Sequence, residues 1–409
     1  MSDKIPSDGA ARSRDIRLDF FRGLALFIIF VAHAKMNPWA AYTPGKFGFS
    51  DSAEIFVFCS GVASALAYGK LFDDRGLLVC SARIAHRCWQ VYWAHIGVFF
   101  AVLAAMLGVD MWLGTGDAYV RGIDLHHVVS GDVARVLLAL MTLTYVPGLF
   151  DILPMYIVLL AMVPLMLAIS RLGTYAVLAF IAVVWAIGNA KLIELPAEPW
   201  SDRTWFFNPL AWQLVFFTGF AFARGWLPAP PIRRAAVIAA AVLLVAMVPF
   251  AYDPIALSLP HGQPIRDALA PYFDKSNFAL LRYVHFLLVA YVAYAVAGPA
   301  GATLTRWQNS GWQTVLRVVS LVGRQSLPAF LAGVMLSTLC GVAINLLGQS
   351  AIATLFVNLC AFGIIVAVAY LAAWFKSPPW SKPLSVAARR QKVPETTPPC
   401  QGSGTSLAA

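Results

Sequence analysis

Ten apolar runs, each long enough to cross the ~30 Å hydrocarbon core of a bilayer, constrain this chain more than any motif in it. They fall at 16–35, 52–72, 84–109, 152–170, 173–190, 209–226, 235–251, 277–298, 318–347 and 350–375. Backbone polar groups inside hydrocarbon must be satisfied within the protein, so apolar runs of this length are helices. The expected fold is therefore all-α, a polytopic integral membrane protein with the lipid bilayer as its first partner. Composition agrees: 60% of the 409 residues are hydrophobic and 12% charged, too little polar material to clothe a soluble domain of this size. The net charge of +10 does not call for nucleic acid, because Lys and Arg collect in the loops of membrane proteins. Six cysteines show no CxxC pairing, so neither a disulfide framework nor a metal site is expected.

An eleventh run, VARVLLALMTLTYV, ends at Pro147-Gly148 and is short for a span. If it does not cross, Lys70, Arg75, Arg83, Arg87, Arg171, Arg233, Arg234, Arg306, Arg317 and Lys376 all share a side with the basic N-terminus. If it crosses, the Arg233-Arg234 pair faces outward. The reading is thus ten spans with both termini cytoplasmic and a re-entrant or interfacial segment at 133–147. Residues 1–15 read as a cytoplasmic N-terminal segment without a cleavable signal peptide, and 16–376 as one membrane domain. The tail 377–409 has no apolar period and reads as disordered and cytoplasmic.

Within the first span, Arg22 and His33 are eleven residues apart. At ~100° per residue they return to one helix face, separated by roughly 16 Å of rise. Lipid favours neither side chain, so a pathway or a catalytic site is indicated. Orientation puts Arg22 toward the cytoplasm, where Arg83, Arg87 and Arg324 also gather near span ends, a basic vestibule suited to an anionic, phosphate-bearing donor. Snorkelling to headgroups explains Arg83 and Arg87 equally well. Toward the outer face lie Asp51 and Glu54, which either cap a helix or orient and tune His33. Asp151 with Tyr156, and Asn208 with Trp212, open two more spans at that face. Asp274, Lys275 and Asn277 lead into a span bearing Arg282 and His285 on one face. A structural role accounts for any one of these, but all of them open at the same side. His95 reads as a satisfied packing residue, His86 as interfacial, and His126, His127 and His261 as loop residues without metal-ligand spacing. No nucleophile elbow, zincin or phosphate-loop motif is present in a credible context.

The R-x10-H element of RLDFFRGLALFIIFVAH resembles membrane acyltransferases of the acyltransferase-3 type. The fuller likeness is to the related OpgC proteins (glucans biosynthesis protein C). It rests on that segment together with GFSDSAEIFVFCSG, TLTYVPGLFDILPMYIVLL, NPLAWQLVFFTG, YFDKSNFALLRYVHF and LVGRQSLPAF, in order from residue 17 to about 330. Where acyltransferase-3 proteins carry a Trp-containing signature, residues 151–156 read DILPMY, which favours the OpgC branch.

The resemblance implies acyl transfer across a bacterial inner membrane, from cytosolic acyl-CoA, with succinyl-CoA as donor substrate, to hydroxyls of a periplasmic glucan, with no tightly bound cofactor. In that scheme His33 is the general base, or carries the acyl group covalently, with Asp51 and Glu54 tuning it. Arg22, Arg83, Arg87 and Arg324 hold the donor. Arg282, Asn277 and Tyr156 are candidates to stabilise the oxyanion or position the acceptor, alongside Asp151, Asn208, Trp212, Asp274, Lys275 and His285. An acetyl donor would present the same CoA charges. A transporter or flippase for a glycan or acyl-donor anion, and a membrane scaffold without chemistry, are the competing readings; the absence of an inverted repeat weighs against the first.

Overall fold

The structure, a computed structural model, describes residues 15–377. Nearly all of the 1–15 segment and of the 377–409 tail lies outside the described residues. Helix α1, Ile16–His33, is capped by Asp15, which accepts the Arg17 N–H at 3.0 Å. After short helical turns at Pro38–Tyr42 and Pro44–Phe47, a helical run is continuous from Ser52 to Leu113 and joins the two spans expected at 52–72 and 84–109. It consists of α2, Ser52–Ser64, a π turn at Ala65–Gly69, and α3, Lys70–Leu113. Gly76, at φ 77°, bends α3 through a conformation that side-chain-bearing residues resist.

The segment expected at 133–147 holds a short helix, α4, Val133–Met141, of 9 residues. Then follow α5, Ile152–Ile169; α6, Thr174–Asn189; α7, Pro209–Arg224; α8, Arg234–Ala251; and α9, Leu280–Ala297. The apolar run at 318–347 is not one span. It breaks at Gln325 into α10, Ser310–Arg324, and α11, Ser326–Leu347. Hydropathy merged the apolar end of α10 with α11, although the rest of α10 (SGWQTVLR) alternates polar and apolar residues as a surface helix does. The last helix is α12, Ala351–Lys376. Among the described residues, 6 helices are long and apolar enough to cross a membrane, and Thr174–Asn189 is apolar but shorter. Helix α1 falls outside that set because it carries Arg17, Asp19 and Arg22 in 18 residues.

Small residues let the central helices touch backbone to backbone, the usual device where lipid supplies no hydrophobic drive between helices. A Cβ at Gly23 of α1 would overlap the Val319 carbonyl of α10, and one at Gly323 would overlap that of Asp19. A Cβ at Gly61 of α2 would overlap the Phe216 carbonyl of α7, and one at Gly219 that of Phe58.

Helix ends sort into two layers. In one, Arg17 donates to the Gly298 carbonyl at 3.1 Å, Arg324 lies 3.7 Å from Asp19, Lys376 donates to Gln325 at 2.6 Å and Arg224 pairs with Asp73 at 2.7 Å. In the other, Lys275 meets Asp51 at 2.6 Å, Asn208 donates to Asn277 at 3.2 Å and Asn345 to Tyr119 at 3.0 Å. The candidate site lies in this second layer, where α1 ends and α2 and α5 begin.

Candidate active site

The start of α2 is built as a reciprocal cap. Asp51 accepts the Ala53 N–H at 2.8 Å, and Glu54 accepts the Asp51 N–H at 2.8 Å. Both carboxylates have a second task. Wholly buried Glu54 pairs with Arg282 of α9, and Asp51 pairs with Lys275 at 2.6 Å and lies 3.9 Å from Arg282. Burial alone would push the Asp51 carboxyl up, but Lys275 and Arg282 outweigh it and hold it well below the usual carboxylate range. One turn along α9, His285 secures the approach to the cap. Its Nδ1 accepts the Ser50 N–H at 3.3 Å and stands 2.7 Å from Ser50 Oγ. An amide can only donate, so the ring proton is on Nε2, which abuts Gly48 so closely that no Cβ fits there.

Lys275 is delivered by a loop whose carbonyls are pinned one after another. Trp212 Nε1 donates to the Lys275 carbonyl at 2.9 Å, and the Asn208 N–H to that of Ser276 at 3.0 Å. Asn189 donates to the Asn277 carbonyl at 3.1 Å and Trp185 to that of Phe278 at 3.0 Å. Within the loop, Asp274 accepts the Ser276 N–H at 3.1 Å and the Asn277 side-chain amide at 3.0 Å. Asn208, Trp212, Asp274 and Asn277, read as substrate contacts, are thus engaged in holding the loop. None of them lines the cavity described next.

That cavity lies at the end of α1. Its polar lining comes from His33, Asp51, Ser52, Asp151, Lys275 and Ser337, with Leu26, Phe30, Phe207 and Phe330 among the apolar residues. His33 is solvent-exposed at the end of α1 and lines this opening. Its Nδ1 lies 2.8 Å from the Ile29 carbonyl one turn back. A carbonyl only accepts, so Nδ1 carries the proton, and in the neutral ring the lone pair sits on Nε2 at the far edge. Neither Asp51 nor Glu54 is hydrogen-bonded to His33, since their charges are engaged by Lys275 and Arg282. Arg282 likewise stands behind the cavity wall rather than in it. Asp151 is 2% exposed, and among the described residues neither of its carboxyl oxygens has a hydrogen-bond partner.

Other side chains named from sequence fall elsewhere. Arg22 donates to Ser326 Oγ at 2.8 Å, at the break between α10 and α11, while its i−3 neighbour Asp19 reaches Arg324. Arg83 is exposed and Arg87 donates to Gln90 at 3.0 Å, both on α3. Tyr156, expected with Asp151 at the outer end, does not line the cavity. It sits further along α5, its ring 6.3 Å from Phe216 and within electrostatic reach of Tyr68, as are Arg83 and Arg87. His95 is buried, but neither ring nitrogen is satisfied among the described residues.

Sequence reading passed over Ser337, Ser326 and Tyr68. Ser326 stands in the LVGRQSLPAF segment and was within reach of notice. The other two carry no local signal, since a lone hydroxyl in an apolar run reads as packing.

The model of the family described as OpgC protein matches residues 14–377. The chain belongs to the OpgC family. The match covers every helix of the described structure, so the membrane region of this OpgC protein is the family domain itself. Family membership and the apolar helices together point to an acyltransferase-type enzyme of the membrane. No curated protein and no solved structure matches the chain significantly.

Proposed function

We propose that this protein is an O-acyltransferase of the bacterial inner membrane that moves an acyl group, succinyl by family likeness, from cytosolic acyl-CoA to a hydroxyl of a periplasmic glucan. Ten helical legs would carry the chain across: α1, α2 with the π turn, α3, α5 to α9, α11 and α12. Helix α10 would lie at the inner face, leaving both termini cytoplasmic. The two layers of helix ends and the bias of basic residues support this arrangement.

The observation that carries the reading is the Nδ1 bond of His33 to Ile29, which leaves Nε2 as a lone-pair donor at an open cavity. In the proposed reaction Nε2 takes the proton of the sugar hydroxyl as that oxygen attacks the thioester carbonyl. The tetrahedral adduct then collapses, the C–S bond breaks, and the departing sulfur takes the proton back from His33. Arg22, Arg324, Arg83 and Arg87 would meet the phosphates of the donor from the cytosolic side. The rise of ~16 Å between Arg22 and His33 is a distance that an extended pantetheine arm spans. Asp51 and Lys275 would form the wall against which the acceptor is placed, braced from behind by Glu54 and Arg282.

His33→Gln removes the base without removing polarity. The variant should insert normally and lose on the order of 10²–10⁴ of the acyl-transfer rate, measured as acyl groups per glucan by mass spectrometry. Acylation at the wild-type level in both His33→Gln and His33→Ala would exclude the base assignment.

A further inference from the structure

Asp151 is unlike every other acid at this site, because among the described residues no hydrogen bond or ion pair holds its side chain. It directly precedes α5 and would be read from sequence as a helix cap. Its backbone is already helical, at φ −66° and ψ −32°, and its side chain makes no capping bond. A capping residue needs an extended backbone to fold its oxygen back onto the first amides. The nearby cations are also engaged: Lys275 by Asp51 at 2.6 Å, and Arg203 by Glu198 at 3.1 Å and the Val146 carbonyl at 3.0 Å. What remains is a carboxyl that is 2% exposed, has two unpartnered oxygens and lines the cavity of His33.

An ionised carboxylate left so, without a counter-charge, is far costlier than the neutral acid. Burial pushes Asp151 up to about 7, with Arg203 pulling the other way. The neutral acid has one O–H to donate, and the cavity is where a recipient can stand. We propose that Asp151 is a second catalytic residue, a protonated acid that donates a hydrogen bond to the acyl-donor carbonyl oxygen as it becomes the tetrahedral oxyanion. This rests on the acyl-transfer reading above.

The step balances without any transfer to Asp151. The sugar oxygen forms the new C–O bond, and the carbonyl π pair moves onto oxygen, where the Asp151 O–H stabilises it. On collapse the C–S pair leaves with sulfur, which is protonated by His33. A base role for Asp151 would require the ionised form that its surroundings disfavour, and His33 Nε2 already fills it. The ionisable groups that line the cavity with Asp151 are His33 from α1, Asp51 at the α2 cap and Lys275 from its loop, while Arg203 of the 195–205 segment acts on its charge. His95 of α3 stands behind the adjoining Phe150, ring centroids 6.3 Å apart.

The test compares Asp151→Asn, Asp151→Leu and wild type in nanodiscs with succinyl-CoA and the glucan. Asparagine keeps a neutral donor, so Asp151→Asn should hold kcat within about tenfold, whereas Asp151→Leu should lose on the order of 10²–10³ in kcat with little change in KM. The wild-type rate should fall as pH rises through the Asp151 ionisation, and Asp151→Asn should lack that fall. Equal inactivity of Asn and Leu variants, or a wild-type rate in Asp151→Leu, overturns the proposal. Difference infrared spectra supply a readout independent of turnover: a carboxylic-acid C=O band at neutral pH, present in wild type and missing in Asp151→Asn. Its absence from an active wild-type enzyme overturns the proposal. The band present in a protein that transfers no acyl group overturns the acyltransferase reading, and with it the catalytic role of Asp151 but not its protonation.

Discussion

In Arg282→Met, the buried Glu54 carboxylate would lose its guanidinium partner and keep one hydrogen bond, from the Asp51 N–H at 2.8 Å. The side chains of the pair are 11% and 0% exposed, so water cannot replace what is removed. Lys275 does not compensate, because it is held by Asp51 at 2.6 Å. Methionine fills much of the volume of arginine, so the cost is electrostatic rather than a cavity. Breaking a buried pair from one side costs about 3–5 kcal/mol, and the lack of exposure places this pair fully in that range. Removing both charges should be far milder. Glu54→Gln with Arg282→Met keeps an acceptor for the Asp51 N–H and should lie within about 2 kcal/mol of wild type, at least about 1 kcal/mol better than Arg282→Met alone. The measurement is denaturant unfolding of the detergent-solubilised protein followed by tryptophan fluorescence, for wild type, both single variants and the double. A single Arg282→Met within about 1 kcal/mol of wild type, or a double variant no better than the single, would refute the reasoning.

The Asp51–Lys275 pair should resist acid. The folded-state pKa of Asp51 lies below its ordinary 3.8, so its contribution to stability is complete above that value and disappears only as pH falls through the lower one. The stability gap between wild type and Asp51→Asn should therefore be constant from pH 7 to pH 5 and narrow only below about pH 4; narrowing near pH 6 would contradict the assignment. Gly48→Ala should drive His285 off Ser50 and loosen the α2 cap, costing about 1–3 kcal/mol, with part of that recovered by adding His285→Ala. A Gly48→Ala protein with wild-type stability and turnover would show the contact to be slack. Arg22→Ala should raise the KM for acyl-CoA several-fold more than that for the glucan; the reverse pattern would make Arg22 a structural ligand of Ser326.

Local chemistry made parts of the site readable in advance. Ser50 to Glu54 has the cap signature, and the cap is there with both of its hydrogen bonds. The spacing of Arg282 and His285 places both on one face of α9, and both reach the 50–54 segment from it. The assignment of partners was not readable. Arg22 with Asp19 at i−3 looked like an ion pair, yet Arg22 reaches Ser326, some three hundred residues away, and Asp19 reaches Arg324. Asp151 and Asp51 look alike in sequence, each preceding an apolar helix. Backbone conformation separates them, extended at Asp51 and helical at Asp151, and so one caps while the other is left facing the cavity.

The sequence by itself determined that this chain is a helical membrane protein, where most helices lie, and that a basic and a titratable side chain share one face of the first. Those properties follow from hydropathy and the helical repeat, which are local and survive without knowledge of neighbours. Only the tertiary structure decided that 318–347 divides at Gln325 and that Lys275 and Arg282 engage the acids of the α2 cap. It alone put His33 and Asp151 on one cavity. Charge pairing at membrane depth depends on which helices touch, and in this protein that depends on glycine-to-backbone contacts such as Gly23 on Val319 and Gly61 on Phe216, which no periodicity announces.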